Sequence, residues 1–416
     1  MTFTIKEKEQ RLSSIYFYVL FFIIISLFLS VKISSISIII LGAIWLLKGN
    51  FKSLPKVFKA NIFLQLSILF YFIHILGLLY SEDLRAGTFS LEKRLSFLIF
   101  PLILSTISIE KREVYRLLVV FTVCCFFCCI YALGLASILL YLKGDNKYFF
   151  LQAINNLINF HRVYFSLYLL FSIFILFYLW YEGIFTNLSF KIFAVLSTAV
   201  FTVFIILSGS RMIIIDYILC VSIFSIYLMI LKKKVLNGLV FSSILIAAIF
   251  VLISNTPKTK NLLKDVYTNL QSGNSVEQTG PNLRLSIWKY SIEVIKENPV
   301  FGVGTGDAIA ELKKKYIKYN FTWGIIWPYD AHNDYLQTAI CFGTIGLIVF
   351  LMLLGKPFFQ SLKERKLLLS FFLLMFCVAM LSECFLDNQK GIVFFSIFYN
   401  LLIYHYLPKN LEEPSH

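Results

Sequence analysis

The chain reads as an all-α polytopic membrane protein of about twelve transmembrane helices, with a helical cap on the outer face. Three observations predict this. Charged residues make up only 15% of the 416 residues, against about 25% in soluble domains. Mean hydropathy is +0.80. Apolar runs of roughly 15 to 29 residues recur along the whole length, and about 20 residues cross a bilayer as a helix. The alternating pattern of a β-barrel is absent, so helices must satisfy the backbone in lipid.

The runs begin near Ile15, Ile33, Ile62, Leu95, Val114, Arg162, Lys191, Met212, Val235, Asn333, Leu367 and Gly391. The first follows Lys6, Lys8 and Arg11, as a signal peptide would. No small-residue cleavage site follows it and further runs do, so it is expected to stay as the first helix. With the N-terminus inside, the inner segments carry nineteen Lys and Arg and the short outer loops nine. That bias is the positive-inside rule, and it places both termini in the cytoplasm. The same rule explains the net charge of +15, since the basic residues lie between apolar runs, so nucleic acid is not an expected partner. The eight cysteines, including Cys124, Cys125, Cys128 and Cys129 within one run, read as small buried hydrophobes.

One loop stands apart. Asn255 to Ala331 spans 77 residues and falls outside. Its segments KNLLKDVYTNL, LRLSIWKYSIEVIKENP and DAIAELKKKYIKY have helical apolar spacing. NPVFGVGTG reads as a turn. The expected organisation is therefore membrane helices over 1–254, a helical periplasmic loop over 255–331 and membrane helices over 332–416, in one integral unit.

Four groups of polar residues could carry chemistry. SGSR, Ser208 to Arg211, closes a tight outer hairpin. Its arginine either snorkels to headgroups or presents a planar guanidinium to a phosphate. Asp216 lies five residues into the next run; it is costly in lipid, so it faces protein or water and can pair with a cation on a neighbouring helix. Arg284 lies beside Leu283, Ile287 and Trp288 at helical spacing, on a solvated face or at the border of an apolar surface. In WPYDAHNDYLQ, Asp330 can cap the helix that starts the next span, and a helix N-terminus attracts anions. Asp330, His332 and Asp334 would meet on a metal only if the chain there were extended, because on a helix they diverge. The fourth group is Arg85, Glu92, Lys93, Arg94, His161, Arg162, Glu383 and Asp387 at outer ends of runs, with Glu383 the best candidate for a buried acid. No Walker loop, G-x-S-x-G, H-E-x-x-H or D-x-D is present. No metal and no cofactor is expected, and a phosphate site built from arginines fits what remains.

These pieces, in this order, resemble the O-antigen ligase family, bacterial membrane proteins with a Wzy_C-type domain. His332, Asn333, nine residues, Gly343, two residues and Gly346 match its histidine-glycine pattern. RLSIWKYSIEVIKENPVFGVGTG is similar to its upstream block, and SGSR to its serine-arginine pair before a span. LLYSEDLRAGTFSLEKRLSFLIFPLIL and HRVYFSLYL also resemble family segments, so the likeness covers nearly the whole chain. Met212 after the arginine and Asp216 in that helix depart from the pattern.

The resemblance implies a fold related to GT-C-type glycosyltransferases in the bacterial inner membrane, with the active site on the periplasmic side. It implies metal-independent transfer of a glycan from a polyprenyl diphosphate carrier, undecaprenyl diphosphate in the family, to a lipid A–core or other glycolipid or glycan acceptor. Carried over by position, Arg211, Arg284 and His332 match the family's functional residues. The arginines would bind diphosphate, and His332 would either activate the acceptor hydroxyl or bind phosphate. Arg94, Arg162, His161, Asn333 and Tyr335 are candidate substrate contacts. A polymerase of the same superfamily is the near alternative. Some polymerases carry arginine-x10-glycine in outer loops, and no arginine here has a glycine eleven positions on. A transporter using Asp216, Glu383 and Arg211 as a central pathway is the more distant one, and the inverted repeats common among transporters are not evident.

Overall fold

The structure is a computed structural model that describes residues 5–184, 186–227, 229 and 280–407. Every regular element among them is helical. In chain order the α-helices are α1 (Ile5–Leu29), α2 (Val31–Lys48), α3 (Leu54–Ala60), α4 (Ile62–Leu78), α5 (Leu84–Arg94), α6 (Ser96–Thr106), α7 (Lys111–Lys143), α8 (Leu151–Asn156), α9 (Arg162–Tyr181), α10 (Leu188–Ser208) and α11 (Arg211–Ile226). After the next described residues come α12 (Gly280–Glu297), α13 (Ala308–Lys318), α14 (Thr322–Ile326), α15 (Asp334–Lys363), α16 (Leu367–Ala379) and α17 (Gln389–Tyr406).

Five of these, α2, α7, α9, α10 and α15, are long and apolar enough to cross a bilayer. Asn50–Ala60 with α4 makes a sixth if the pair, bent by 99°, is one span. Ser14–Leu29 and α16 are shorter apolar helices. The chain is thus a helical membrane protein, and the twelve expected spans are matched in part. The expected ninth, near Val235, lies outside the described residues. The run at Leu95 differs for a physical reason. It forms α6, only 11 residues with Pro101 inside, which at 1.5 Å per residue reaches about 16 Å, roughly half of a hydrocarbon core.

Caps set several boundaries. Asn61 Oδ1 accepts from the amides of Phe63 and Leu64 to start α4, and Asp83 Oδ1 accepts from Ala86 to start α5. The loop segments expected to be helical are so where described: LRLSIWKYSIEVIKE is α12 and AIAELKKKYIK is α13. KNLLKDVYTNL lies outside the described residues.

The chain divides into two compact units, residues 1–124 with 287–416, and residues 125–286. In the first, α4 packs on α15 and α6, α6 on α17, and α16 on both α15 and α17. Aromatic rings fill these contacts: Phe70 meets Phe97 at 5.3 Å and Phe350 at 5.4 Å, and Phe376 meets Phe395 at 4.9 Å. In the second, α9 packs against α8, α10 and α11. From Val163 to Leu179 all of its residues but Phe177 are buried, as for a helix apolar on every side.

Candidate active site

The first unit holds a site built on a broken helix. Gly343 interrupts α15 with φ +62° and ψ −154°, a region that essentially only glycine enters. The break frees main-chain groups on both sides, and residues 299–304 satisfy them. Val303 and Gly304 donate to the carbonyls of Ile340 and Cys341, both at 2.9 Å. Thr344 and Ile345 donate to Pro299 and Val300 at 2.9 and 3.4 Å. NPVFGVGTG is therefore more than the expected turn: it is a docking segment laid into α15. It continues onto the end of α4, where Thr305 donates through Oγ1 to His74 O at 2.6 Å and through its amide to Gly77 O at 3.2 Å. Asp307 then accepts the amides of Glu82 and Asp83 at 2.7 and 2.9 Å. The two glycine motifs read separately from the sequence thus form one structure.

That anchor fixes the first turn of α15. Asn333 caps it, its Oδ1 accepting from Tyr335 at 2.9 Å and Leu336 at 3.0 Å. The expected cap, Asp330, instead accepts the amide of His332 at 2.9 Å, a local side-chain turn of the kind Asp favours. His332 has φ +42°, which His tolerates better than most residues. The helix amides that an anion would have sought are therefore already taken by Asn333.

The turn after α16 is sewn to the same place. Buried Asp334 accepts the amides of Phe385 at 2.8 Å and Leu386 at 3.2 Å. Its own amide donates to Met380 O at 3.0 Å, and Asn333 Nδ2 donates to Leu381 O at 3.0 Å. These bonds bring Glu383 to His332: Nδ1 of the ring is 3.3 Å from Glu383 Oε1 and 3.4 Å from Asp330 Oδ1. The ring lies 5.6 Å from that of Tyr329. Tyr335 donates to Cys377 O at 3.0 Å.

Arg94 is buried beside this turn and pairs with Asp387 and with Ser90 Oγ. Lys93 donates to Asp387 O at 2.9 Å. Burial, with the Arg94 guanidinium next, pulls the Lys93 ammonium below its ordinary range, and Asp330 opposes them. Asp330, Cys384 and Asp387 bring their ligand atoms within 4.8 Å of one another and are the residues best placed to hold a metal. Burial, reinforced by Asp330 and Asp334, pushes the Cys384 thiol well up, and Arg94 already engages Asp387, so this set is poorly prepared to take a cation.

The remaining sequence candidates belong to the second unit. Gly209, at φ +59°, ends α10, and Arg211 opens α11 as an exposed side chain. Arg162 opens α9, its amide donating to Gln152 Oε1 at 3.0 Å, and His161 precedes it. Helix α8 joins both places, because Asn155 Nδ2 donates to Ser208 Oγ at 3.1 Å. The SGSR hairpin and the His161–Arg162 pair thus share one end of this unit. Arg284 is half-buried on α12. Asp216 is fully buried, and its described partner is the Cys220 thiol at 3.3 Å. The cation expected for it is not among the described residues.

The sequence singled out His332 but not the grip on its ring. Glu383 was visible as an acid too costly to leave in lipid. Nothing local tied it to a histidine 51 positions away.

Comparison with known proteins finds likeness over part of the chain. One stretch of 101 residues is 27% identical to an uncharacterized protein of Haemophilus influenzae, covering 24% of this chain and 25% of that protein. The chain thus matches about a quarter of that relative's length. The family model for O-antigen ligase (Wzy_C) matches residues 192–351, from α10 through the SGSR hairpin, Arg284 and the docking segment into α15. With His332, Gly343 and Gly346 inside that match, residues 192–351 are a domain of the O-antigen ligase family, within the O-antigen ligase and polymerase superfamily.

Proposed function

We propose that this protein is a membrane glycosyltransferase of the GT-C-like kind. It moves a glycan from a polyprenyl diphosphate carrier to a hydroxyl of lipid A–core or a similar acceptor, on the periplasmic face of the inner membrane. The observation that carries this reading is the His332 ring, set between the carboxylates of Glu383 and Asp330 at the start of α15. Two carboxylates so close would repel a diphosphate, so His332 acts as the base and leaves phosphate to other residues. The ring takes the proton of the acceptor hydroxyl. The freed oxygen attacks the anomeric carbon of the donor sugar. The bond from that carbon to the diphosphate oxygen breaks, and the electron pair leaves with the polyprenyl diphosphate.

Arg211 and Arg284 bind that diphosphate, whose negative charge rises as the bond breaks. Guanidinium forks suit phosphate oxygens. Arg94, Arg162, His161, Asn333 and Tyr335 are assigned to the substrate surroundings. Arg94, Asn333 and Tyr335 act there by shaping the site, since each side chain is engaged within the protein.

The test is genetic. Deleting the gene should remove capped lipopolysaccharide while lipid-linked polymer accumulates. A product capped with a single repeat unit instead assigns the protein to polymerisation, and unchanged surface glycan overturns the reading.

A further inference from the structure

We propose that Glu383 is the positioning residue of His332 and makes Nε2 the nitrogen that receives the acceptor proton. The inference rests on the transfer reading above and deepens it. Both carboxylates address the same ring atom, with Nδ1 at 3.3 Å from Glu383 Oε1 and 3.4 Å from Asp330 Oδ1. An ionised carboxylate only accepts, so the proton between them sits on Nδ1. In the neutral ring the lone pair is then on Nε2.

The two acids are not equivalent. Asp330 Oδ1 already accepts the amide of His332, two residues along, so it shapes the local turn. Glu383 comes from another element and its side chain is only 11% exposed. A shielded carboxylate is costly unless a donor meets it. The Asp334 bonds to Phe385 and Leu386, with the Asn333 bond to Leu381, flank Glu383 on both sides and hold it on the ring. The spacing is loose for a charged hydrogen bond and tightens when the ring gains a proton, as catalytic contacts do.

The first experiment needs no mutation. Full-length protein in detergent, labelled with 15N at histidine, should show the resonance assigned by His332→Ala as the Nδ1–H tautomer. An Nε2–H tautomer overturns the proposal whatever the protein's reaction. The second uses synthetic undecaprenyl diphosphate-linked oligosaccharide as donor and lipid A–core as acceptor. Glu383→Gln, whose amide can pin the wrong tautomer, should lower kcat by about a hundredfold to ten-thousandfold. Donor KM should stay within about threefold. The double variant Glu383→Gln/His332→Ala should be no slower than His332→Ala, because the two residues act as a unit.

Additive losses, or a raised KM at unchanged kcat, overturn the positioning role while leaving transfer intact. Full activity of His332→Ala sinks the base assignment instead. Should Glu383→Gln reach the membrane in low amounts, Glu383→Asp supplies the same comparison, with partial activity expected and none overturning the role.

Discussion

Replacing Gly343 with alanine should undock residues 299–304 from α15. A non-glycine residue at φ +62°, ψ −154° bears about 1–3 kcal/mol of backbone strain. The new methyl would also land on the Val300 carbonyl, so the docked segment must withdraw whatever the strain. Four main-chain hydrogen bonds hold it there, each contributing about 1 kcal/mol net. Losing two of them and taking mid-range strain gives about 4 kcal/mol. At 1.4 kcal/mol per factor of ten, the docked population falls roughly a thousandfold. Hydrogen exchange on detergent-solubilised protein reads this directly, because Val303 and Gly304 are the segment's own donors in two of the four bonds. Their amides should exchange about a thousandfold faster in the variant if local opening controls exchange. Exchange within tenfold of the parent would refute the reasoning and mean that the segment stays docked on α15 despite the added methyl.

Other outcomes follow from the same geometry. Arg211→Ala should lower glycan transfer by at least about a hundredfold at normal membrane abundance, and Arg211→Lys should recover part of it by keeping charge without the fork; normal surface glycan in the alanine variant removes the phosphate role. Asp334→Asn keeps one acceptor oxygen but turns an amide toward the Phe385 and Leu386 N–H groups, and should cost about 1–3 kcal/mol, seen as a lower melting temperature; an unchanged melting temperature would mean the turn holds itself. EDTA should leave transfer by purified protein unchanged, whereas inhibition reversed by a divalent ion would assign Asp330, Cys384 and Asp387 to a metal.

Much of the helical framework was legible because lipid demands long apolar runs, and α2, α7, α9, α10 and α15 each fill one. The amphipathic helices α12 and α13 were legible for the same reason at smaller scale, through apolar spacing. Less was legible where contacts are remote or made by the main chain. Gly343 stands in the sequence only as one position of the histidine-glycine pattern, whereas in the structure it breaks the helix for a segment some 40 residues upstream. Backbone-to-backbone bonds leave no signature beyond the glycines that permit them. Asp330 and Asn333 both suit a cap, and only the true start of the helix decides between them. For Asp216 the cost of burial was readable, and among the described residues its partner is the Cys220 thiol one turn along.

The stitch between residues 299–304 and α15 uses no side chain. Val300 and Phe301 are 47% and 65% exposed even though their backbone is held. Identity at these two positions can therefore drift with little penalty, while spacing cannot. One residue added or removed between Asn298 and Thr305 would slide the segment by about 3.3 Å, pull Thr305 off the end of α4 and leave the helix carbonyls facing nothing. The segment behaves as a ruler between the polar loop and the span, tolerant of spelling and strict about length.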